Sequence, residues 1–218
     1  MFSLWKMRVI GIYGPVGSGK STLLNEIKPY VPNSFIIPEY IDALPDAETK
    51  LKNYLDGSFS AYEFQQYVLD YFENVSNELK NSSYDFVFVE RLPVEGIQFF
   101  AKLDLIHGRI TSEQYETLLK RAQSLTFYPD PSSIDSDQTV TILTNYLSPF
   151  QISQKVLQCL LLPTSCFGDN RFHLQDVRII KLKASLKTIK ERINKRGRQC
   201  EIEHYSEDYL KYMIERYD

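Results

Sequence analysis

The chain has 218 residues, 43% of them hydrophobic and 13% aromatic, which suits one well-packed domain and excludes a second catalytic one. A net charge of −3 and a pI near 5.7 provide no basic field for a nucleic-acid polymer or an anionic membrane. Three cysteines, Cys159, Cys166 and Cys200, lack C-x-x-C spacing, which argues against a disulfide framework or a zinc ribbon and for a reducing compartment.

Met1 to Lys6 runs directly into the first element, and no segment reaches the apolar length of a signal peptide or membrane span. A soluble cytoplasmic protein is expected. Met7 to Tyr13 is a short β-branched strand, and Thr22 to Ile27 has helical spacing. Ser34 to Glu39 reads as a second strand that delivers Glu39 just past Pro38. Ser60 with Glu63 forms a capping box ahead of a long amphipathic helix, carried by Phe64, Val68, Phe72, Val75 and Leu79. Tyr84 to Val89 is a continuous apolar run suited to a buried parallel strand, and it ends on Glu90-Arg91. Ser112 with Glu113 opens a helix to about Ala122, and Phe127 to Gln138 reads as loop. Val140 to Leu143 and Val177 to Leu182 are further strands; between them Leu157 to Leu162 has helix-core composition and Pro163 to Phe172 looks irregular. No repeat or linker divides the chain, so residues 1–218 are read as one domain.

Between the first strand and helix, Gly14-Pro15-Val16-Gly17-Ser18-Gly19-Lys20-Ser21, followed by Thr22, fills the P-loop pattern. Its backbone N–H groups would cradle the β-phosphate of a nucleoside triphosphate, Lys20 would neutralise the β and γ charges, and Ser21 would hold Mg²⁺. Strands alternating with helices behind such a loop imply an α/β fold with a doubly wound, mostly parallel sheet of the P-loop kinase type. The P-loop, Glu39 and Glu90-Arg91 would converge at the C-terminal edge of its strands.

Guanine-reading switch proteins carry Asn-Lys-x-Asp, and Asn194-Lys195-Arg196-Gly197 lacks the aspartate. Between Lys181 and Arg198 there are eight basic residues against one acid, Glu191. Arg192 and Arg196 stand one turn apart, with Arg198 after Gly197, so an arginine-rich lid at about 192–203 would close over the γ-phosphate. Glu39 could accept the proton of an acceptor hydroxyl while Arg91 holds the developing anion; Glu90 would bind Mg²⁺ or be the base itself. Gln65 offers an amide donor and acceptor that match the edge of thymine, or of cytosine after a flip.

These residues resemble the deoxynucleoside kinases over most of Met7 to Arg121 and again from Val177 to Tyr217. Gly14 to Thr22 resembles the family P-loop, and Pro38-Glu39 its Pro-Glu, which places a carboxylate on the nucleoside 5′-hydroxyl. Phe64-Gln65-Gln66-Tyr67 is similar to the family's Phe-Gln-x-Tyr helix, whose glutamine reads the base. The resemblance further implies that Tyr54 meets the sugar 3′-hydroxyl, that Glu90-Arg91 is the Glu-Arg signature, and that Arg192 to Glu201 is the lid, with Glu201 on the 3′-hydroxyl. ATP and Mg²⁺ are the implied cofactors, a deoxynucleoside the implied substrate, and a homodimer through Tyr62 to Leu79 and Gly96 to Gly108 the implied assembly.

The chain departs from the family pattern at several points. Leu92 stands where the family has serine, and Arg91-Leu92-Pro93 is closer to the Arg-His-Pro of herpesvirus-type thymidine kinases. Cys200 replaces the first lid carboxylate. Deoxycytidine kinase has an arginine and an aspartate where Phe72 and Gly96 stand; uncharged groups there resemble thymidine-accepting members and point to thymidine, for DNA precursor salvage. With Asp218 directly after the post-lid helix, the usual last strand is missing. Either the sheet loses an edge or Val140 to Leu143 fills its place. The alternatives in function are a nucleoside monophosphate kinase, such as one acting on thymidylate, and a nucleotide-binding module without turnover.

Overall fold

The computed structural model describes residues 7–125, 127, 139–144, 151, 154, 156 and 177–217. The readings made for Met1 to Lys6, Leu157 to Leu162 and Pro163 to Phe172, together with Cys159 and Cys166, lie outside the described residues. So does the loop reading of Phe127 to Gln138 apart from Phe127 itself.

Five strands form one sheet: β1 (Arg8–Tyr13), β2 (Ser34–Ile37), β3 (Phe86–Glu90), β4 (Thr139–Leu143) and β5 (Val177–Lys183), in the order β2-β3-β1-β5-β4. Every neighbouring pair is parallel, which requires crossover connections and buries both faces. That burial explains why Val87, Phe88 and Val89 in β3 form a continuous apolar run, each fully buried. The strand at 139–143 supplies the outer edge beside β5, so of the two sequence readings the one in which it fills the edge position holds. The sheet is of the α/β, P-loop kinase type.

Helix α1 (Lys20–Ile27) follows the P-loop; α2 (Tyr40–Ala43) and α3 (Ala47–Leu55) follow β2; α4 (Ala61–Leu79) precedes β3. Ser60 caps α4 by accepting from the Glu63 N–H, as the capping-box spacing implies. After β3 come α5 (Pro93–Glu95), a π-helical turn (Gly96–Ala101), α6 (Lys102–Ile106) and α7 (Ser112–Gln123). The cap of α7 is Thr111 rather than Ser112: its Oγ1 accepts from Gln114 N, and Gln114 Oε1 accepts from Thr111 N. Helices α8 (Leu186–Arg196), α9 (Gln199–His204) and α10 (Glu207–Arg216) complete the described chain.

One apolar cluster joins β1 and β3 to α3, α4, α7 and the π-turn, and a second lies on the opposite side with α1, Ile10, Ile12, Phe88 and Ile180. Leu92, the departure from the family serine, is explained by this packing. It is fully buried against Gly11 of β1, where an added Cβ would stand 2.4 Å from Leu92 Cδ1. The larger residue after Glu-Arg fills the space that glycine leaves.

Candidate active site

β1 delivers the chain to the P-loop, and Gly14 shows why glycine begins it. Its φ is 151°, and a Cβ there would lie 2.6 Å from the Leu182 carbonyl oxygen, so only glycine lets β5 and the loop approach this closely. Gly19 caps α1 in the left-handed region at φ 103°, which aims the first N–H groups of α1 into the cleft, a ready anion site. Lys20 is buried and donates to the Gly14 and Pro15 carbonyls at 3.1 and 3.2 Å. Burial lowers its pKa, and Arg91 adds to this, against Glu39 and Glu90.

Ser21 Oγ donates to Glu90 Oε1 over 2.6 Å. A hydroxyl and a carboxylate from two elements, both hard oxygen donors, at one corner of a phosphate cleft fit Mg²⁺, which prefers few protein oxygens alongside phosphates and water. Burial raises the Glu90 carboxyl, partly opposed by Lys20.

The sequence places Glu39 at the end of a strand. β2 in fact stops at Ile37, and Glu39 is the residue before α2, with extended backbone. Its Oε1 accepts from Arg91 Nε at 2.6 Å. Burial opposes ionisation of this carboxyl, but Arg91 and Lys20 outweigh it and hold the group down to about 2. Arg91 itself sits in the left-handed region at φ 64°, an uncommon conformation for a non-glycine residue. Four contacts hold it there: Glu39, Tyr217 Oη, the Ile12 carbonyl, which accepts from its backbone N–H, and the Phe100 ring 5.1 Å away.

The cleft has two halves that share Glu39. The phosphate half, with about 530 Å³ of free volume, is lined by Gly17 to Leu23, Glu39, Glu90, Arg192, Lys195 and Arg196. The other half is narrow and mostly aromatic or aliphatic. Its walls include Tyr40, Tyr54, Phe64, Phe100, Tyr205 and Tyr209; Gln65, Arg91, Gly96, Val16 and Glu201 also reach it. An apolar slot with a few fixed polar groups suits a flat heterocycle carrying polar edges. The π-turn matters here because it sets both Gly96 and Phe100 on the slot.

Other expected site residues are placed less simply. Tyr54 and Gln65 both turn to Asp104: Tyr54 Oη donates to Oδ1 at 2.9 Å and Gln65 Nε2 to Oδ2 at 3.1 Å. Tyr54 and Gln65 thus share one carboxylate. Phe72 is not brought to the slot; it is 2% exposed and packs in the core against Tyr71 and Phe127. Thr22 borders the phosphate half and is exposed.

The segment expected to form the lid, about 192–203, spans parts of two helices, α8 and α9, joined through Gly197 at φ 76°. Arg196 reaches the phosphate half and pairs with Glu201. Arg198 binds Glu201 at 3.4 Å and Asp42 of α2, which ties α9 to α2. Arg192 donates to the Gly17 and Ser18 carbonyls at 3.1 and 3.0 Å and to the Thr144 carbonyl at 3.2 Å, so it braces the P-loop from behind. Cys200 is buried.

Sequence reasoning missed Asp42, Glu95, Asp104, Thr144, Lys195 and Tyr217. Glu95 carried a readable signal, a glutamate at the third helical position after Leu92-Pro93; its Oε1 accepts from the Leu92 N–H at 2.8 Å. Tyr217 Oη accepts from Arg91 Nη1 at 2.9 Å and donates to Glu95 Oε2 at 2.8 Å. Burial pushes the Glu95 carboxyl up to about 7.

The profile of the deoxynucleoside kinase family matches residues 10–140, more than half of the chain. No curated protein matches. Among solved structures the chain is similar to a deoxyadenosine kinase from M. mycoides with bound dATP, at 22% identity and TM-score 0.56, over 96% of this chain and 81% of that one. It is similar to the same enzyme with the products dCMP and a flexible dCDP, at 20% identity and TM-score 0.57, over the same shares. These likenesses carry the fold, and the profile covers the P-loop, Glu39, Gln65 and Glu90-Arg91 together. The chain belongs to the deoxynucleoside kinase family.

Proposed function

We propose that the protein transfers the γ-phosphoryl group of ATP, with Mg²⁺, to the 5′-hydroxyl of a deoxynucleoside, producing a monophosphate for DNA synthesis. The observation that carries this reading is Glu39, which borders both halves of the cleft. A nucleoside in the aromatic slot would present its 5′-hydroxyl where this carboxylate and the phosphate half meet. Being ionised throughout the working range, Glu39 accepts a hydrogen bond from that hydroxyl and orients its lone pair toward phosphorus. Proton transfer follows bond formation, as expected when the transition state is loose and the hydroxyl gains acidity late. Arg91, fixed on Glu39, sits beside the negative charge that develops. Beside the phosphates, Ser21 and Glu90 would hold Mg²⁺, which would supply charge neutralisation. Lys20 leaves its loop carbonyls to meet the same phosphates.

Thymidine is the first acceptor to test, because Gly96 brings no charge to the base end of the slot. Phe72 does not reach the slot, so it has no part in this preference. Deoxyadenosine is the second reading, favoured by the likeness to a deoxyadenosine kinase. A monophosphate acceptor would set its phosphate near the acids Glu39 and Glu201, which counts against a monophosphate kinase. The proposed assembly is a homodimer through Tyr62 to Leu79 and Gly96 to Gly108, and the proposed setting is the cytoplasm, both by resemblance to the family. No helix among the described residues is long and apolar enough to cross a membrane.

The test is transfer of label from ATP to thymidine, deoxycytidine, deoxyadenosine, deoxyguanosine and thymidine monophosphate in parallel. Label on nucleosides supports the proposal. Label on the monophosphate alone overturns the acceptor class, and absence of transfer despite ATP binding leaves a non-catalytic module.

A further inference from the structure

Asp104 of α6 is a carboxylate with no exposed surface, set behind the slot. Three donors converge on it: Tyr54 Oη at 2.9 Å and Arg109 Nη2 at 2.6 Å on Oδ1, and Gln65 Nε2 at 3.1 Å on Oδ2. Arg109 also lies over the Tyr54 ring, 5.2 Å from its centroid. A buried carboxylate is costly unless paired and hydrogen-bonded, and each oxygen here has a partner.

The consequence falls on Gln65, which is buried and borders the slot. A glutamine amide is nearly symmetric in shape, and a flip exchanges its donor with its acceptor. Left free, it would read a keto edge, with its ring N–H donor and carbonyl acceptor, as readily as an amino edge with the opposite order. Asp104, ion-paired with Arg109, only accepts. A flip would turn Gln65 Oε1 against Asp104 Oδ2, two acceptors in a buried site, and would forfeit a hydrogen bond to a charged group. One N–H is therefore committed to Asp104, and what remains for the base is one N–H and one carbonyl in a fixed order.

We propose that Asp104 is a specificity-determining positioning residue: by holding the Gln65 amide in one orientation it decides whether the slot reads the keto or the amino edge of a nucleobase. The proposal rests on the kinase reading above. Asp104 makes no contact with the base and acts through Gln65. In an Asp104→Asn variant the carbonyl oxygen stays with the Tyr54 and Arg109 donors and Nδ2 faces Gln65, so the Gln65 amide is drawn to the opposite orientation. Asp104→Ser removes the pin in a smaller residue and guards against misfolding of the first variant.

The experiment measures kcat/KM for thymidine against deoxycytidine, and for deoxyguanosine against deoxyadenosine, in the wild-type chain and both variants. The keto-to-amino ratio within the better-used size class is the readout. Because both nucleosides are assayed on the same sample, the ratio is independent of the fraction folded. The wild-type chain is expected to discriminate; Asp104→Ser should move the ratio toward unity by at least about tenfold, and Asp104→Asn should move it in the same direction at least as far. Wild-type transfer with a ratio near unity, or a ratio unmoved in every active variant, overturns the role of Asp104 while leaving the kinase reading intact. No transfer to any of the four nucleosides by the wild-type chain overturns the kinase reading, and this proposal with it.

Discussion

Arg91 Nε and Glu39 Oε1 lie 2.6 Å apart, across a sequence separation of 52 residues, at the point where the two halves of the cleft meet. The pair fixes the one carboxylate that borders both halves, so its chemistry should show in turnover more than in binding. Glu39→Gln keeps the shape and a hydrogen-bonding group for the nucleoside but removes the charge. We expect kcat to fall by about a hundredfold or more with nucleoside KM changed little. Steady-state kinetics check this, and a near wild-type kcat would remove Glu39 from the proton-accepting role.

Lys20 is drawn onto the Gly14 and Pro15 carbonyls, and it is the one cation within the P-loop sequence. Lys20→Ala should reduce kcat by at least about a hundredfold, since charge neutralisation of the transferring group is the main catalytic term in such sites. Retained transfer in a single-turnover assay would take the P-loop lysine out of the mechanism.

Tyr217 joins the left-handed Arg91 to Glu95 through one hydroxyl. Tyr217→Phe leaves both buried partners short of a hydrogen bond, at an expected cost of about 1–3 kcal/mol in stability. Urea unfolding measures that loss. Unchanged stability with unchanged kcat would mean that the hydroxyl supports neither the fold nor Arg91.

The Glu95 carboxyl is raised by burial from an ordinary 4.5 to about 7. Because the folded state holds this proton more tightly than the unfolded chain, its contribution is fully present below 4.5 and is lost as pH rises through 7. Glu95→Gln should lack this decline. The difference between the two proteins in unfolding free energy should change by on the order of 3 kcal/mol across that window. Taking the difference cancels the other titrating groups, Glu39 included, and parallel pH profiles would show that Glu95 does not titrate there.

Arg192 spans Gly17, Ser18 and Thr144 with backbone carbonyls as acceptors. An arginine that braces the loop has its effect before any phosphate binds. Arg192→Lys, which keeps the charge but not the planar fork, should lower the melting temperature of the ligand-free protein and raise the KM for ATP several-fold, on the order of 1–2 kcal/mol. A loss confined to kcat, with ligand-free stability intact, would return Arg192 to the phosphate-binding role that the sequence suggested.

The sequence by itself determined what is local. The P-loop with its strand and helix, the buried run of β3 ending on Glu90-Arg91, the Ser60 cap and the arginine-rich lid all depend on residues within a few positions of one another. Periodicity and turn chemistry act over that range, and the family pattern could be read residue by residue along it. The tertiary structure decided which charges meet. Asp104 lies 39 residues from Gln65 and Tyr217 126 from Arg91, and no spacing rule connects such pairs. Phe72 has the helical phase of Gln65, yet it packs into the core because Phe127 covers it. Arg192 and Arg196 stand one turn apart on α8; one meets loop carbonyls and the other Glu201, since the P-loop with Thr144 and α9 offer them different acceptors. Side-chain identity sets what a group can donate or accept, but its partner is settled only when distant segments are buried together and every polar atom taken from water needs a replacement.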